Sequence, residues 1–548
     1  MSSKGSSSTI AGRPARSLIE RALATKLYAR TLRVEAPSSL RCHPVDPTPG
    51  DPDFANALFQ GRYVFLGEQQ TALNEPPWSL QGASDTWQAE VNAFEWLADF
   101  RATEAETARL RARELVRSWI DLNGQWHALS WRPDVLGRRL ASWACHTEYI
   151  CHGADPTFRR GFLASFCAQA RHLSRATGIL SSDCWALPAT VGRLVAQAAL
   201  TEEDGRLSNE LQDLQRLIVQ EVLPDGTHAS RNPDQALAAL RLLLIVRTAL
   251  ESIGRDPPDA LTDAIKRVAL GTRSFRHGDG GFGNFNGGAE NDRGCIDGVL
   301  AVAKARGATP SILSDGGYHR MSAGNTLVLF DVGTAQRDTA TTCAGLLSFE
   351  LSVGRDRVIV NCGTHGGPRW REAGRTTAAH STLVVADTNS RDISGSRSRR
   401  PAPPTVQAQR REDGGNVLVE ASHDGYADRF GLRHDRAIYM SPGGDDVKGE
   451  DVIAAAGPEG DRARRFALRF HLHPQVHASP AADGVTVLLR LAHGAGIRFR
   501  SSHGVALEES AYLGGAAGVR ATRQIVIHGR TNPDGVETVK WAMTVFRR

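Results

Sequence analysis

The feature that most constrains this chain is a change of period partway along it. In the first half apolar residues recur at three- and four-residue spacing. "LSNELQDLQRLIVQEV" puts Leu207, Leu211, Leu214 and Ile218 on one face, and "FRRGFLASFCAQARHL" does the same with Phe158, Phe162, Phe166, Ala170 and Leu173. Segments near 87–120, 132–150, 185–200, 235–253 and 259–275 read alike without a repeated motif, which predicts a helical array or toroid and not a consensus repeat. From about Ser314 the texture becomes short β-branched runs separated by Gly, Asp, Asn and Pro, such as "NTLVLFDVG", "RVIVNCG", "STLVVADT" and "RFALRFHLHP". Many short strands at such spacing predict an antiparallel β-sandwich. Helices first and strands afterwards make two stacked domains, not a doubly wound sheet. The reading is an α + β multidomain chain: an N-terminal extension over 1–73, partly helical, a helical domain over 74–313 and a β-sandwich over 314–548. The glycine-rich "HGDGGFGNFNGGAEND" (His277 to Asp292), or the segment just after it, marks the junction. A cleft where the two meet is the natural binding site.

Bulk properties exclude several classes. A length of 548 residues suits two to four domains at roughly 150 residues each. The net charge of +5 is small for this length and far from that of a dedicated nucleic-acid binder. The longest apolar run, Ala236 to Leu250, contains Arg241 and Arg247 and is too short and too charged to span a bilayer. The N-terminus lacks an apolar stretch followed by a small-residue cleavage site, so the plain expectation is a cytoplasmic protein, with a misassigned start codon as the alternative. The eight cysteines include no CxxC pair and fit no zinc module, which leaves most of them to pack as small hydrophobes.

Residues able to do chemistry gather in a few places. In "TTCAGLLSFELSVGRDRVIVNCG" (Thr341 to Gly363), a turn centred on Arg355-Asp356 sets Phe349 opposite Cys362, Leu351 opposite Val360 and Val353 opposite Val358. At about 3.3 Å per residue, Cys343 and Cys362 then lie too far apart for a disulfide, whose Cα atoms sit within about 7 Å. Two packed cysteines are the simplest reading, although a bulge at Ala344-Gly345 would shift the register. In Gly367 to Ser390, Arg369, Trp370, Arg371 and Arg375 make a basic loop with an aromatic, and His380 follows at the mouth of a strand. Arginine forks bind carboxylates and a Trp face stacks on sugar, but a solvated basic loop has the same composition. "LPDGTHASRNP" holds His228, Arg231 and Asn232 between helices. It reads equally as a site at a toroid rim or as a capping loop with Asn232 at the N-cap. His471 and His473 share a face if both lie in one strand, open either to a metal or to ordinary hydrogen bonding. The glycine-rich run lacks the strand-loop-helix context and the Lys-Ser/Thr of a P-loop, which discards a nucleotide site.

Together, "DGTHASRNP", "GDGGFGNFNGG", "GYHRMSAGNTLVLFDVG", "CAGLLSFELSVGRDRVIVNCG", "WREAGRTTAAHSTLVVADTNS" and "RFHLHP" resemble, in order, the heparinase II/III family of polysaccharide lyases. The resemblance runs from about Asn74 onward and is strongest between Tyr318 and Asn389. It implies an incomplete (α/α) toroid followed by an antiparallel sandwich, and β-elimination on a uronate-containing acidic polysaccharide in the periplasm or cell envelope. That chemistry needs a group to neutralise the uronate carboxylate and a general base and acid. The candidates for these roles here are His228, His380, Arg231 and Tyr318, with Asn232, Arg369, Trp370, Arg371 and Arg375 to hold substrate. Some members carry a structural zinc, and Cys343 and His380 stand at its ligand positions. The chain departs from the pattern at Thr341 and Cys343, where members carry histidine, at Asn361, where zinc-binding members carry Asp, and at Gln235, near the usual tyrosine. "SSDCWALPA" (Ser181 to Ala189) lacks the usual asparagine-rich element. Three expectations follow: a lyase, a non-catalytic glycan-binding or envelope-biogenesis protein on the same scaffold, or, more weakly, a glycoside hydrolase, for which no convincing carboxylate pair stands out beyond the candidates Asp225 and Glu290.

Overall fold

A computed structural model describes residues 13–73, 75–176, 186–201, 204–334, 341–393, 402–457, 462–515, 518–532 and 536–546. Residues 181–185 of the "SSDCWALPA" element, and 394–401 of the polar loop after β8 (below), lie outside the described residues.

The chain opens with α1 (Arg13–Leu23), α2 (Lys26–Leu32) and α3 (Pro52–Phe59), then a small hairpin of β1 (Arg62–Phe65) and β2 (Glu68–Thr71). The helical domain follows as α4 (Asp85–Ala93), α5 (Leu97–Ala102), α6 (Glu106–Asn123), α7 (Pro133–Cys151), α8 (Pro156–Ala176), α9 (Ala186–Leu200), α10 (Asp204–Glu221), α11 (Pro233–Ser252), α12 (Asp259–Arg273) and α13 (Arg293–Ala303). These form the incomplete toroid. The span 87–120 is three helices and not one. Phe94 ends α4 in a left-handed conformation (φ 61), because its ring turns inward between Trp96, Trp119 and Trp143. Among the described residues, no helix is long and apolar enough to cross a membrane.

The second half is β3 (Ile312–Leu313), β4 (Tyr318–Ala323), β5 (Thr326–Asp331), β6 (Phe349–Val353), β7 (Asp356–Val360), α14 (Pro368–Gly374), β8 (Leu383–Val385), β9 (Val406–Asp413), β10 (Asn416–Tyr426), α15 (Ala427–Phe430), β11 (Leu432–Met440), β12 (Asp446–Ala455), β13 (Arg465–Leu472), β14 (His477–Pro480), β15 (Thr486–Arg490), β16 (Gly496–Ser501), β17 (Ala506–Tyr512), β18 (Arg520–Arg530) and β19 (Val536–Phe546). Two antiparallel sheets face each other. One runs β14-β15-β16-β19-β12-β11-β10-β9. The other runs β17-β18-β13-β7-β6-β5-β4-β3, with β8 also on β13.

Period two explains how the second sheet serves two cores. Met321, Val328, Phe330, Phe349 and Leu351 point into the sandwich. Tyr318, Leu327 and Leu329 point the other way and join the helical core. The β6–β7 register differs from the expected one. The turn is Gly354-Arg355, with Gly354 at φ 57, so Val353 pairs with Asp356 and Leu351 with Ile359 across a bulge. A glycine accepts the left-handed turn position, which places the turn one residue earlier than expected. Both cysteines of that stretch are free and buried, as the packed reading had it.

Candidate functional site

The toroid and the second sheet meet across the glycine-rich loop, and a buried polar network holds them. Glu350 of β6 is fully buried. Its Oε1 accepts from the backbone N–H of Asn284 and of Asn361, both at 2.9 Å, and its Oε2 accepts from His277 Nε2 at 2.9 Å. His277 Nδ1 in turn lies 2.9 Å from Ser352 Oγ. Burial lowers the His277 pKa, so the ring is neutral and donates to the carboxylate from Nε2. Arg357 donates to Asp279 at 2.7 Å and to the Phe282 carbonyl at 2.6 Å. Glu290 accepts from Tyr512 and from His473 Nε2, the latter at 3.2 Å. Burial pushes Glu290 up, but His473, Arg357 and Tyr512 outweigh it and hold the carboxyl at about 2.

The loop entering α11 comes next. Asn232 is its N-cap, with Oδ1 accepting from the N–H of Asp234 at 2.7 Å, as the capping reading expects. Arg231 adopts φ 62, which turns its side chain beneath the loop. There it pairs with Asp331, donates to the Gly316 carbonyl at 2.6 Å and lies 4.7 Å from the centre of the Tyr318 ring. With 3 % exposure it is committed inside the protein, not turned to a substrate carboxylate. Tyr318 is buried beside it. Its hydroxyl donates to the Arg231 carbonyl at 2.7 Å and accepts from Asn286 Nδ2 at 2.7 Å. Burial lifts its pKa far above the ordinary phenol value, which does not suit a proton donor. His228 sits between Ser230 Oγ, at 2.7 Å, and Glu221, at 3.4 Å.

His380 is held by its own neighbours. Its Nδ1 donates to the Thr376 carbonyl at 2.8 Å and its ring lies over Gly345, where a Cβ would come within 2.4 Å of Cδ2. The Cys343 thiol, pushed up to about 12 by burial, lies 3.4 Å from the Thr341 carbonyl. Asn361 is a neutral amide whose Oδ1 accepts from Ser381 N–H at 3.0 Å. His380 Nδ1 is taken by the Thr376 carbonyl and Asn361 Oδ1 by the Ser381 N–H, and a neutral amide is a poor zinc ligand, so this set does not fit a zinc ion. Among the described residues no cluster of three His, Cys, Asp or Glu side chains could hold a metal. His471 and His473 diverge: His471 meets Ser510 Oγ and the Ala378 carbonyl, and His473 meets Glu290. The glycosidase pair fails as well. Asp225 is filled by the N–H groups of Thr227 and Gly316, and Glu290 lies in the interface network.

On α14, Arg375 clamps the carbonyls of Thr342 and Ile393, both at 2.9 Å. Arg371 reaches across to Thr86 Oγ1 at 3.0 Å, and Gly366 N–H meets the Leu66 carbonyl of the β1–β2 turn at 3.0 Å. Arg369 is exposed and Trp370 is 36 % exposed. A Cβ on Gly287 would lie 3.6 Å from Asn232 Nδ2 and 3.4 Å from the Thr341 carbonyl, so these three meet at one point. Thr364 Oγ1 donates to the Gly287 carbonyl at 2.9 Å, and Gln235 is exposed at the start of α11. Asp234, raised by burial to about 7, accepts from Ala289 N–H and Asn291 Nδ2. Sequence reasoning missed Glu350, His277, Asp331 and Asn284. The signal for the first was available: Glu350 and Ser352 alternate with apolar residues in "SFELSV", which marks a polar face.

The comparisons agree with this architecture. A family model described as "Heparinase II/III-like, C-terminal" matches residues 305–542. A curated relative from Caulobacter vibrioides (strain NA1000 / CB15N), FtsZ-localized protein C, is 30% identical over 529 residues, spanning 93% of this chain and 90% of that protein. Among solved structures, a heparinase III crystal structure superposes with a TM-score of 0.70 at 15% identity, covering 97% of this chain and 89% of the other. Heparan sulfate lyase HepC from Pedobacter heparinus gives 0.58 at 14% identity, covering 90% and 83%. At such identities the structural likeness speaks for the fold alone. The chain belongs to the heparinase II/III-like family.

Proposed function

We propose that this chain is a glycan-binding member of its family that does not carry out β-elimination. One observation carries the reading: the candidate phenol and imidazole, Tyr318 and His380, each donate to a backbone carbonyl inside the protein. Elimination needs a base at the uronate C5 proton and an acid at the leaving oxygen, both within hydrogen-bond reach of substrate. The exposed groups nearby are instead the Gln235 amide and the Trp370 ring, which suit sugar hydroxyls and a ring face. The test is incubation of the purified chain with a panel of uronate polymers. The reading expects saturable glycan binding without the ultraviolet absorbance of an unsaturated uronate; that absorbance would restore the lyase.

The end-to-end 30% identity to FtsZ-localized protein C favours a second element, a place of work at the cell-division assembly. A fluorescent fusion expressed at native level is expected to gather at division sites and to disperse when FtsZ is depleted. A uniform signal in dividing cells would sink this element and leave the glycan reading standing.

A further inference from the structure

Inside the toroid one cation stands without a counter-charge. Arg139 of α7 is 0% exposed. Its Nε donates to Gln169 Oε1 of α8 at 2.6 Å, and its Nη1 donates to the Asn92 carbonyl of α4 at 2.8 Å. The guanidinium lies 4.0 Å from the centre of the Trp119 ring of α6. All three partners are neutral. Among the described residues no carboxylate offsets the effect of burial on Arg139. Arg231, Arg357 and Arg436 are about as deeply buried, and each meets one: Asp331, Asp279 and Asp451. The preceding residue on α7, Arg138, is paired with Glu90 and Glu95. The charge of Arg139 is felt nearby. Burial, joined by Arg139 and Arg175, pushes His172 down to about 4, so that ring is neutral and adds no second cation.

Two buried donors here have no hydrogen-bond partner, Arg139 Nη2 and Trp143 Nε1. Trp143 stands four residues after Arg139, so the two side chains share a face of α7. Its ring meets Trp119 edge to face at 5.7 Å, the same ring that Arg139 covers. Trp119 Nε1 is already taken by Asn92 Oδ1 at 2.7 Å. An indole N–H only donates, and a guanidinium only donates and keeps its charge. Burying such a charge unpaired is strongly unfavourable. A water molecule could accept from these donors but would leave the charge standing, whereas one anion accepts from them and balances it. A single guanidinium calls for a single negative charge, and full burial calls for a ligand of atomic size. We propose that the toroid core holds a small monovalent anion of the halide class beside Arg139 Nη2 and Trp143 Nε1, a structural ion where α4, α6, α7 and α8 meet. The inference stands apart from the glycan reading.

Thermal melts of the full chain in sodium chloride and in sodium gluconate, at equal ionic strength, test it. The midpoint is expected to climb with the logarithm of chloride concentration and to stay flat in gluconate, because an ion that binds only the folded chain stabilises it by mass action. Crystals soaked in sodium bromide are expected to show an anomalous peak beside Arg139 and Trp143. Arg139→Met removes the charge and should abolish the chloride response. Trp143→Phe keeps an aromatic ring but removes Nε1, and should weaken chloride binding about tenfold, the worth of one hydrogen bond to an ion. Midpoints that do not separate the two salts overturn the inference. So does the lack of a bromide peak at this place, or a chloride response that survives unchanged in both variants. If Arg139→Met does not fold, Trp143→Phe and the bromide peak decide the matter.

Discussion

Replacing Glu350 offers the sharpest test of how the two domains are joined. Its carboxylate is fully buried and satisfies three donors: His277 Nε2, Asn284 N–H and Asn361 N–H. Glu350→Ala strips all three at once and leaves a void that the backbone donors cannot fill. At about 1–2 kcal/mol for each of the three buried donors left unpaired, the loss comes to about 3–6 kcal/mol. Glu350→Gln is different. Its amide oxygen can still accept from both backbone N–H groups. Its NH2 can face His277 Nε2 if that ring moves its proton to Nδ1 and donates to Ser352 Oγ. Only charge assistance is lost, about 1–2 kcal/mol. Urea unfolding followed by tryptophan fluorescence would read the difference, because Trp541 stacks 5.4 Å from Phe349, the neighbour of Glu350. In thermal melts the alanine variant should fall by about 2–4 °C per kcal/mol lost. If alanine and glutamine variants agree within about 0.5 kcal/mol, the network does not hold the interface and the reasoning is wrong.

Three further predictions follow from the same geometry. Tyr318→Phe should cost about 1–2 kcal/mol of stability in urea and leave glycan affinity unchanged, since the hydroxyl serves the Arg231 carbonyl and Asn286; a loss of turnover instead would mean that the phenol is chemical. Asn232→Asp should keep the α11 cap at nearly native stability, whereas Asn232→Ala should cost about 1 kcal/mol by thermal melt; equal melting of the two variants would contradict the capping role. His146, His172 and His319 are lowered by burial from 6.5 to about 4, so they stay neutral in the folded chain and take up protons on unfolding. Stability is then full above 6.5 and is lost as pH falls towards 4, which a series of urea midpoints would show; midpoints that stay flat over that window would contradict it.

The architecture was legible because it is written in local periods. Helices appear where the three-four spacing stands, and strands where alternation stands, since burial of one face decides both. The capping role of Asn232 was readable for the same reason, as its partners lie within three residues. What the sequence hid were pairings over long separations. Nothing local shows that Arg231 would meet Asp331, 100 residues away, and so be lost to the cleft. Nor does "AHST" reveal that the His380 ring would lie over Gly345. The division of 87–120 was missed because its apolar spacing continues across the break at Phe94, where inward packing of the aromatic ring overrides helix propensity.

These two kinds of information bear on function differently. The glycine-rich run, one of the most distinctive motifs of the chain, is required by packing. A Cβ on Gly283 would sit 2.7 Å from the Phe285 ring and 3.2 Å from Glu350 Oε2, so a glycine lets the loop approach the buried carboxylate. Asn284 in the same run donates to Glu350 through its backbone and to the Asn361 carbonyl through its side chain. The run thus serves the docking of toroid on sandwich, whatever the cleft then does. In the family pattern acid-base chemistry rests on positions outside that run, which here are Thr341, Cys343 and Gln235. A chain can therefore match its family along nearly its whole length on packing grounds alone, and the match leaves the chemistry of the cleft to be argued from its own side chains.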